Sequence, residues 1–279
     1  MRSIGGLPFV FPGCSFSDEE ERLLEMLSRL NVPPFVAEPF VIERSDAAPP
    51  PGLPPPGEPA VISFAGDRIR IAHADGAGEL DLLAHRGTCT RFTNSGAPLR
   101  AMLRTAVVAM LPLHGGLPLH AAGLVADDRA LVLFGESGAG KTTIASIAGL
   151  PVLSDEIVAV TVEDGRPVAR STGFGDEVYT GGAPGVARPV AALVQLAKAD
   201  RFAVTPLSHA EATRALLKVI LSPPHPRVWT RAIATLGAIL STQTPVVRMA
   251  WPGDRTPIPD LLALLECGAI ARAIRPACR

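Results

Sequence analysis

Apolar positions in this chain fall into short runs broken by glycine, aspartate and proline, a pattern that predicts strands. Residues 130–134 (ALVLF), 151–153 (PVL), 157–162 (IVAVTV) and 190–196 (VAALVQL) are continuous enough to lie inside a sheet, and residues 60–64 (AVISF) are a short strand candidate. Residues 68–72 alternate instead, with Ile69 and Ile71 between Arg68 and Arg70, as in a strand with one wet face. Residues 80–83, 88–93 and 245–249 are further strand candidates, and Glu163-Asp164-Gly165 predicts a hairpin turn returning as a strand over 167–171. Helical spacing takes over elsewhere. Ser17-Asp18-Glu19-Glu20 fits a capping box that opens a helix to about residue 30, with an apolar stripe at Leu23, Leu24, Met26, Leu27 and Leu30. The acidic run 18–21 reads as a solvated first turn, and Pro33-Pro34 as the stop. Residues 98–113 predict a second helix, with Leu99, Met102, Leu103, Val107 and Met110 on one side. Ser208 and Glu211 cap a third through residue 219, and 229–240 and 259–265 complete the set.

The pattern divides the chain in three. Residues 1–57 hold the first helix and a proline-rich spacer over 47–57, which reads as a stiff surface linker. Residues 58–115 form a small, mainly β lead-in that ends in the second helix, and 116–279 form an α/β core. No internal repeat interrupts this order. Composition narrows the class. The chain has 279 residues, 47% hydrophobic and 19% charged, with a net charge of −1. Such a chain can bury one substantial core, and it has no global field that favours nucleic acid or an anionic membrane. No apolar stretch is long enough to span a bilayer. Cys14, Cys89, Cys267 and Cys278 lack C-x-x-C or zinc spacing, so free thiols in a reducing cytoplasm are the expectation.

The candidate chemistry lies just after the run at 130–134. Gly135-Glu136-Ser137-Gly138-Ala139-Gly140-Lys141-Thr142 fits the phosphate-binding pattern G-x-x-x-x-G-K-[ST] at every specified position, between a strand and a helix-compatible stretch. Glycines let the backbone approach a polyphosphate, amides converge on the anion, Lys141 reaches the outer phosphates and the Thr142 hydroxyl takes a place on Mg²⁺. Fourteen residues after Lys141, Asp155-Glu156 ends a strand, where such enzymes hold metal or deprotonate an acceptor. His114 and His120 match no common metal spacing; a hydrogen-bonded place near the phosphates suits His120, and a surface turn His114. Gly-rich residues 173–185 could cover or clamp an acceptor, with a surface loop at least as good an account, and Arg188 could stabilise transferring phosphoryl charge, with an ordinary surface arginine the safer reading.

Leu119-His120-Ala121-Ala122-Gly123, the glycine loop and Leu153-Ser154-Asp155-Glu156 together resemble the catalytic core of HPr kinase/phosphorylase and its small bacterial relatives. That group shares its P-loop fold with phosphoenolpyruvate carboxykinase and includes kinases acting on serine in lasso-peptide precursors. The resemblance is strongest over 116–160 and extends more weakly to about Trp251. It implies an α/β fold whose P-loop core has a mixed β-sheet with flanking helices, plus a small N-terminal α+β portion. It also implies that residues 135–143, ending in Thr142-Thr143, hold ATP, with Lys141, Asp155 and His120 catalytic. Asp155 would be the base, and Thr142, Glu156 and Asp155 would lie on the Mg²⁺ side. The implied activity is transfer of the γ-phosphate to a serine or threonine of a peptide or protein. The chain differs from HPr kinases in having Glu156 for a second aspartate and Thr143 for a glutamate. It also lacks their glycine- and arginine-bearing signature, which points away from HPr as acceptor. A small hydroxylated metabolite, a silent nucleotide- or peptide-binding module and a simple ATPase switch stay open. The expected protein is cytoplasmic, and relatives are often oligomers, which leaves a homo-oligomer open.

Overall fold

The computed structural model describes residues 1–4, 6–29, 38–175, 187–253 and 256–267. The proline stop at Pro33-Pro34, most of the glycine-rich stretch 173–185 and Cys278 lie outside the described residues. Within them the chain forms two mixed sheets and six helices.

The first sheet has seven strands: β1 (Arg2–Ile4), β2 (Leu7–Val10), β3 (Phe40–Arg44), β4 (Val61–Ala65), β5 (Arg68–His73), β6 (Gly76–Asp81) and β7 (Arg86–Arg91), in the order β1-β2-β3-β7-β6-β5-β4. Strand β3 runs parallel to both neighbours, β2 and β7. Residues from 1–57 and from 58–115, separate in the sequence pattern, therefore share one sheet. The alternation of Ile69 and Ile71 with Arg68 and Arg70 is realised in β5, and β6 starts at Gly76, upstream of the expected 80.

Helix α1 (Asp18–Arg29) opens with the capping box: Ser17 N donates to Glu20 Oε2 (2.9 Å) and Glu20 N to Ser17 Oγ (3.3 Å). Its first turn is not a solvated acidic face throughout. Glu20 is fully buried and accepts from Arg44 Nη2 (3.0 and 2.9 Å) and Arg91 Nη1 (2.7 Å). Arg44 ends β3 and Arg91 ends β7, adjacent strands, so the helix start is drawn onto the sheet and its carboxylate sealed there. Helix α2 (Ala97–Leu113) lies across β5, β6 and β7 on one side and meets β8 (Leu117–Ala126) and α5 (Pro226–Leu240) on the other. This position buries Ala106, Ala109 and Leu111 as well as the expected stripe, because a helix between two layers needs apolar cover all round. Gly78 permits its approach: a Cβ there would meet Met102 Sδ at 2.9 Å.

The second sheet contains β8, β9 (Arg129–Phe134), β10 (Val152–Ser154), β11 (Ile157–Glu163), β12 (Arg166–Ser171), β13 (Ala187–Lys198), β14 (Ala203–Pro206) and β15 (Val246–Trp251). β8 pairs with β9 along one edge and with β10 and β11 along the other. β13 takes β12 at its start, then β9 and β15, both in parallel. Strands β8, β9, β13, β12 and β11 thus close into a ring of pairings. The β11–β12 turn holds Asp164 and Gly165 at positive φ (48° and 73°), as the Glu163-Asp164-Gly165 signal predicts. Helices α4 (His209–Leu217) and α5 pack on one face of the sheet, and α3 (Lys141–Ile147) and α6 (Ile258–Glu266) on the other. The Ser208–Glu211 capping box opens α4. Among the described residues no helix is long and apolar enough to cross a membrane.

Candidate functional site

Strand β9 is buried beyond Arg129 and delivers the chain to residues 135–140, a turn that leads directly into α3. Gly140 has φ of 98°, and a Cβ there would lie 2.9 Å from Trp251 Cζ2, so conformation and space both require glycine. Inside the turn Ala139 N donates to Glu136 O (3.1 Å), and Ile144 N donates to Gly140 O (2.9 Å) as the helix begins. Lys141 is 7% exposed, its Nζ folded back under the turn to Gly135 O (3.1 Å) and Glu136 O (3.4 Å). Burial lowers its pKa. Ser137, Gly138, Thr142 and Thr143 are exposed, and Glu136 pairs with Lys218 at 3.1 Å in the open.

Register brings the acid pair to the same level. On β8, Ala121 lies opposite Phe134 on one edge, and its N–H donates to Glu156 O (3.2 Å) on the other. The end of β9 and the acid pair are therefore two strand spacings apart, about 10 Å, with β8 between. His120 precedes Ala121 on β8. Because side chains alternate, it shares the side of Ala122 and Leu124, which pack in the core with α3 residues Ile144 and Ala145. Its ring is half-buried. Burial and then the Lys141 charge hold its pKa below the ordinary value, against the opposing pull of a hydrogen bond to the Glu156 backbone.

Asp155 and Glu156 form a jog between β10 and β11, both of which pair antiparallel to β8. Ser154 fixes the jog: its Oγ donates to Phe174 O (2.6 Å) and accepts from Ile157 N (3.2 Å). Asp155 is 8% exposed and lies under Gly175, where a Cβ would fall on its Oδ1. Glu156 is partly open to solvent and accepts from Arg104 Nη2 at 2.6 Å. Arg100 Nη2 donates to Gly175 O (3.0 Å).

Lys141, His120, Asp155, Glu156 and the loop thus gather around the middle of β8. Arg188 does not join them: it pairs with Asp128 (3.3 Å), near the start of β13. His114 lies in the turn that ends α2, as expected, but is half-buried and packs edge-on to His85, with centroids 5.3 Å apart. Arg100 and Arg104 are additions that the sequence reading missed. Their signal was present, since they are the only charged residues of the apolar stretch 98–113 and stand four apart.

No family model and no curated protein matches this sequence. Among solved structures, the Hpr(Ser) kinase/phosphatase from Coxiella burnetii is similar to it at 14% identity over 56% of this chain and 97% of that chain, with a TM-score of 0.27. A likeness at that level carries no argument, so the functional reading stands on the site itself.

The electrostatics of His120 are directly testable. A histidine whose pKa is depressed by folding loses stability as pH falls from its unfolded value through the folded one. In proton NMR the His120 ring is expected to titrate below 6.5, and Lys141→Met to move the midpoint upward. A midpoint unmoved by that change would separate the two side chains.

Proposed function

We propose that this protein is an ATP-dependent phosphotransferase acting on a serine or threonine hydroxyl of a peptide or protein. One observation carries the reading: a complete G-x-x-x-x-G-K-T loop and an Asp-Glu jog meet across a single strand, β8. The residues fit the cofactor. Lys141 is a buried cation whose hydrogen bonds among the described residues run to main-chain carbonyls, and a polyphosphate would supply an anion for it there. Mg²⁺ takes one or two protein oxygens and completes its shell with phosphates and water. Thr142 and Glu156 suffice for that, and no group of three His, Cys, Asp or Glu side chains converges among the described residues.

Mg·ATP would bring an activated phosphoryl group. The chain's own part is positioning and charge. Asp155 would accept the proton of the attacking hydroxyl, and Lys141 would offset charge growing on the transferred oxygens. His120, held neutral by burial and by Lys141, adds no competing positive charge beside that lysine.

A second reading has its own support. Gly175 covers Asp155, as in a nucleotide-binding module that performs no transfer. A degenerate serine/threonine peptide pool with ATP and Mg²⁺, read by mass spectrometry, separates the two. Wild-type protein is expected to yield phosphopeptides, and Asp155→Asn to lower the yield about 10²- to 10³-fold with ATP binding retained. Saturable ATP binding with no product from the wild type would leave the module reading.

A further inference from the structure

Helix α2 carries Arg100 and Arg104 one turn apart and therefore on one side. Both leave the apolar core for the acid-pair end of the site, Arg100 to Gly175 O and Arg104 to Glu156. The Arg104–Glu156 pair is not a sealed core bridge, because its side chains are 41% and 31% exposed. A pair so open to water contributes little to stability. Arg104 Nε, by contrast, is buried without a hydrogen-bond partner among the described residues. An unpaired buried donor is unfavourable, so this guanidinium has one arm engaged and an adjacent donor unused.

We infer that Arg104 exchanges partners during the cycle: it holds Glu156 in the nucleotide-free chain and passes to the transferring phosphoryl oxygens when that carboxylate turns to Mg²⁺. The inference rests on the phosphotransfer reading and adds a residue to it. A planar guanidinium binds two phosphate oxygens side by side, and Nε with Nη2 offers that edge. Position agrees, since Arg104 reaches Glu156, whose carbonyl accepts from Ala121 N next to His120 on β8, the strand that separates the acid pair from the loop. Arg104 makes and breaks no covalent bond; it moves between two anions. While it occupies Glu156 it competes with the metal, so the two events are linked.

The test titrates a fluorescent ATP analogue, with and without Mg²⁺, into wild type, Arg104→Gln and Arg104→Lys, alongside turnover and thermal unfolding. Arg104→Gln is expected to tighten the Mg²⁺ half-saturation about three- to tenfold as its competitor is lost, and to lower turnover about 10²-fold or more. Arg104→Lys restores the ordinary Mg²⁺ requirement by re-forming the ion pair but recovers little of the rate, because an ammonium is not a fork. Unchanged Mg²⁺ half-saturation in Arg104→Gln overturns the inference. So does a weakening of both quantities that follows a lower melting temperature, which marks a structural role. A wild type that binds no ATP analogue defeats the phosphotransfer reading itself. A wild type that binds it normally, with Arg104 variants indistinguishable from it, defeats only the partner exchange.

Discussion

Lys141→Met is expected to remove saturable ATP binding and lower any phosphotransfer by about 10³-fold or more, without destabilising the protein. A thousandfold loss corresponds to about 4 kcal/mol of transition-state stabilisation, a scale that charge-assisted contacts to a transferring phosphoryl group can supply. The stability half of the expectation follows from burial. Lys141 is 7% exposed, its hydrogen bonds among the described residues go to the Gly135 and Glu136 carbonyls, and burial lowers its pKa. For a lysine depressed on folding, stability is higher above the unfolded value of 10.5 and falls as pH drops through the folded value. At neutral pH the folded protein therefore carries an unfavourable buried charge, which methionine removes with little change of shape. Calorimetric ATP titration and thermal unfolding at pH 7 check both halves. Lost binding with an unchanged or higher melting temperature is the expected pair. A drop of many degrees would mean that Lys141 braces the loop, and retained binding would mean that the loop is a turn with a chance lysine.

What the sequence discloses about this fold follows the range of the forces involved. The β9–turn–α3 unit, the β11–β12 hairpin and the Ser17 and Ser208 capping boxes depend on neighbours within a few residues, and each can be read from local pattern. β1, β2 and β3 could not be read so. They are short, and β3 gains its place by parallel pairing with β2 and with β7, over forty residues onward. β14 was equally hidden, an edge strand with Thr205 and Pro206 in it that takes its register from β15. Helix α2 shows the same limit in packing: periodicity marks one apolar stripe, whereas the second layer that covers its other side is a tertiary fact. At the site, the loop, His120 and the acid pair each have a sequence signal, but the register that sets Phe134, Ala121 and Glu156 in one row does not. Arg104 reaches Glu156 from fifty-two residues away, through the placement of α2 between the sheets.

Glu20→Ala is expected to lower folding stability by about 3 kcal/mol, the largest loss of any single change in the acidic turn of α1. Removing this carboxylate leaves Arg44 and Arg91 facing each other's charge, takes away their short hydrogen bonds, and opens the capping box that starts the helix. The loss belongs at the lower end of the range for a broken buried ion pair, for two reasons. Arg44 and Arg91 are 16% and 24% exposed, so water reaches both in part. Arg44 also keeps the Ser15 carbonyl (3.2 Å) and the face of Phe16, 5.8 Å from the ring centre. Glu21, 48% exposed and 3.7 Å from Arg2, is the matched control, with an expected loss below about 0.5 kcal/mol for Glu21→Ala. Urea denaturation of both variants decides it: equal losses would show that only the local charge of the helix start matters, whereas a gap of about 2 kcal/mol or more places the stabilisation in the buried pairings. The change should also be felt at the site. Leu27 on the same helix lies against Gly173, where a Cβ would come 3.1 Å from its Cα; Phe174 is sealed in the core with Leu24 and Leu27, and the next residue, Gly175, covers Asp155. Loosening α1 is therefore expected to speed hydrogen exchange at Phe174 N–H, which bonds to Thr172 Oγ1 (3.4 Å), before it affects the amides of β9. If both exchange together, the acid-pair cover and the 135–140 loop belong to one cooperative unit, and on the proposed reading a nucleotide held by that loop would stabilise α1 as well.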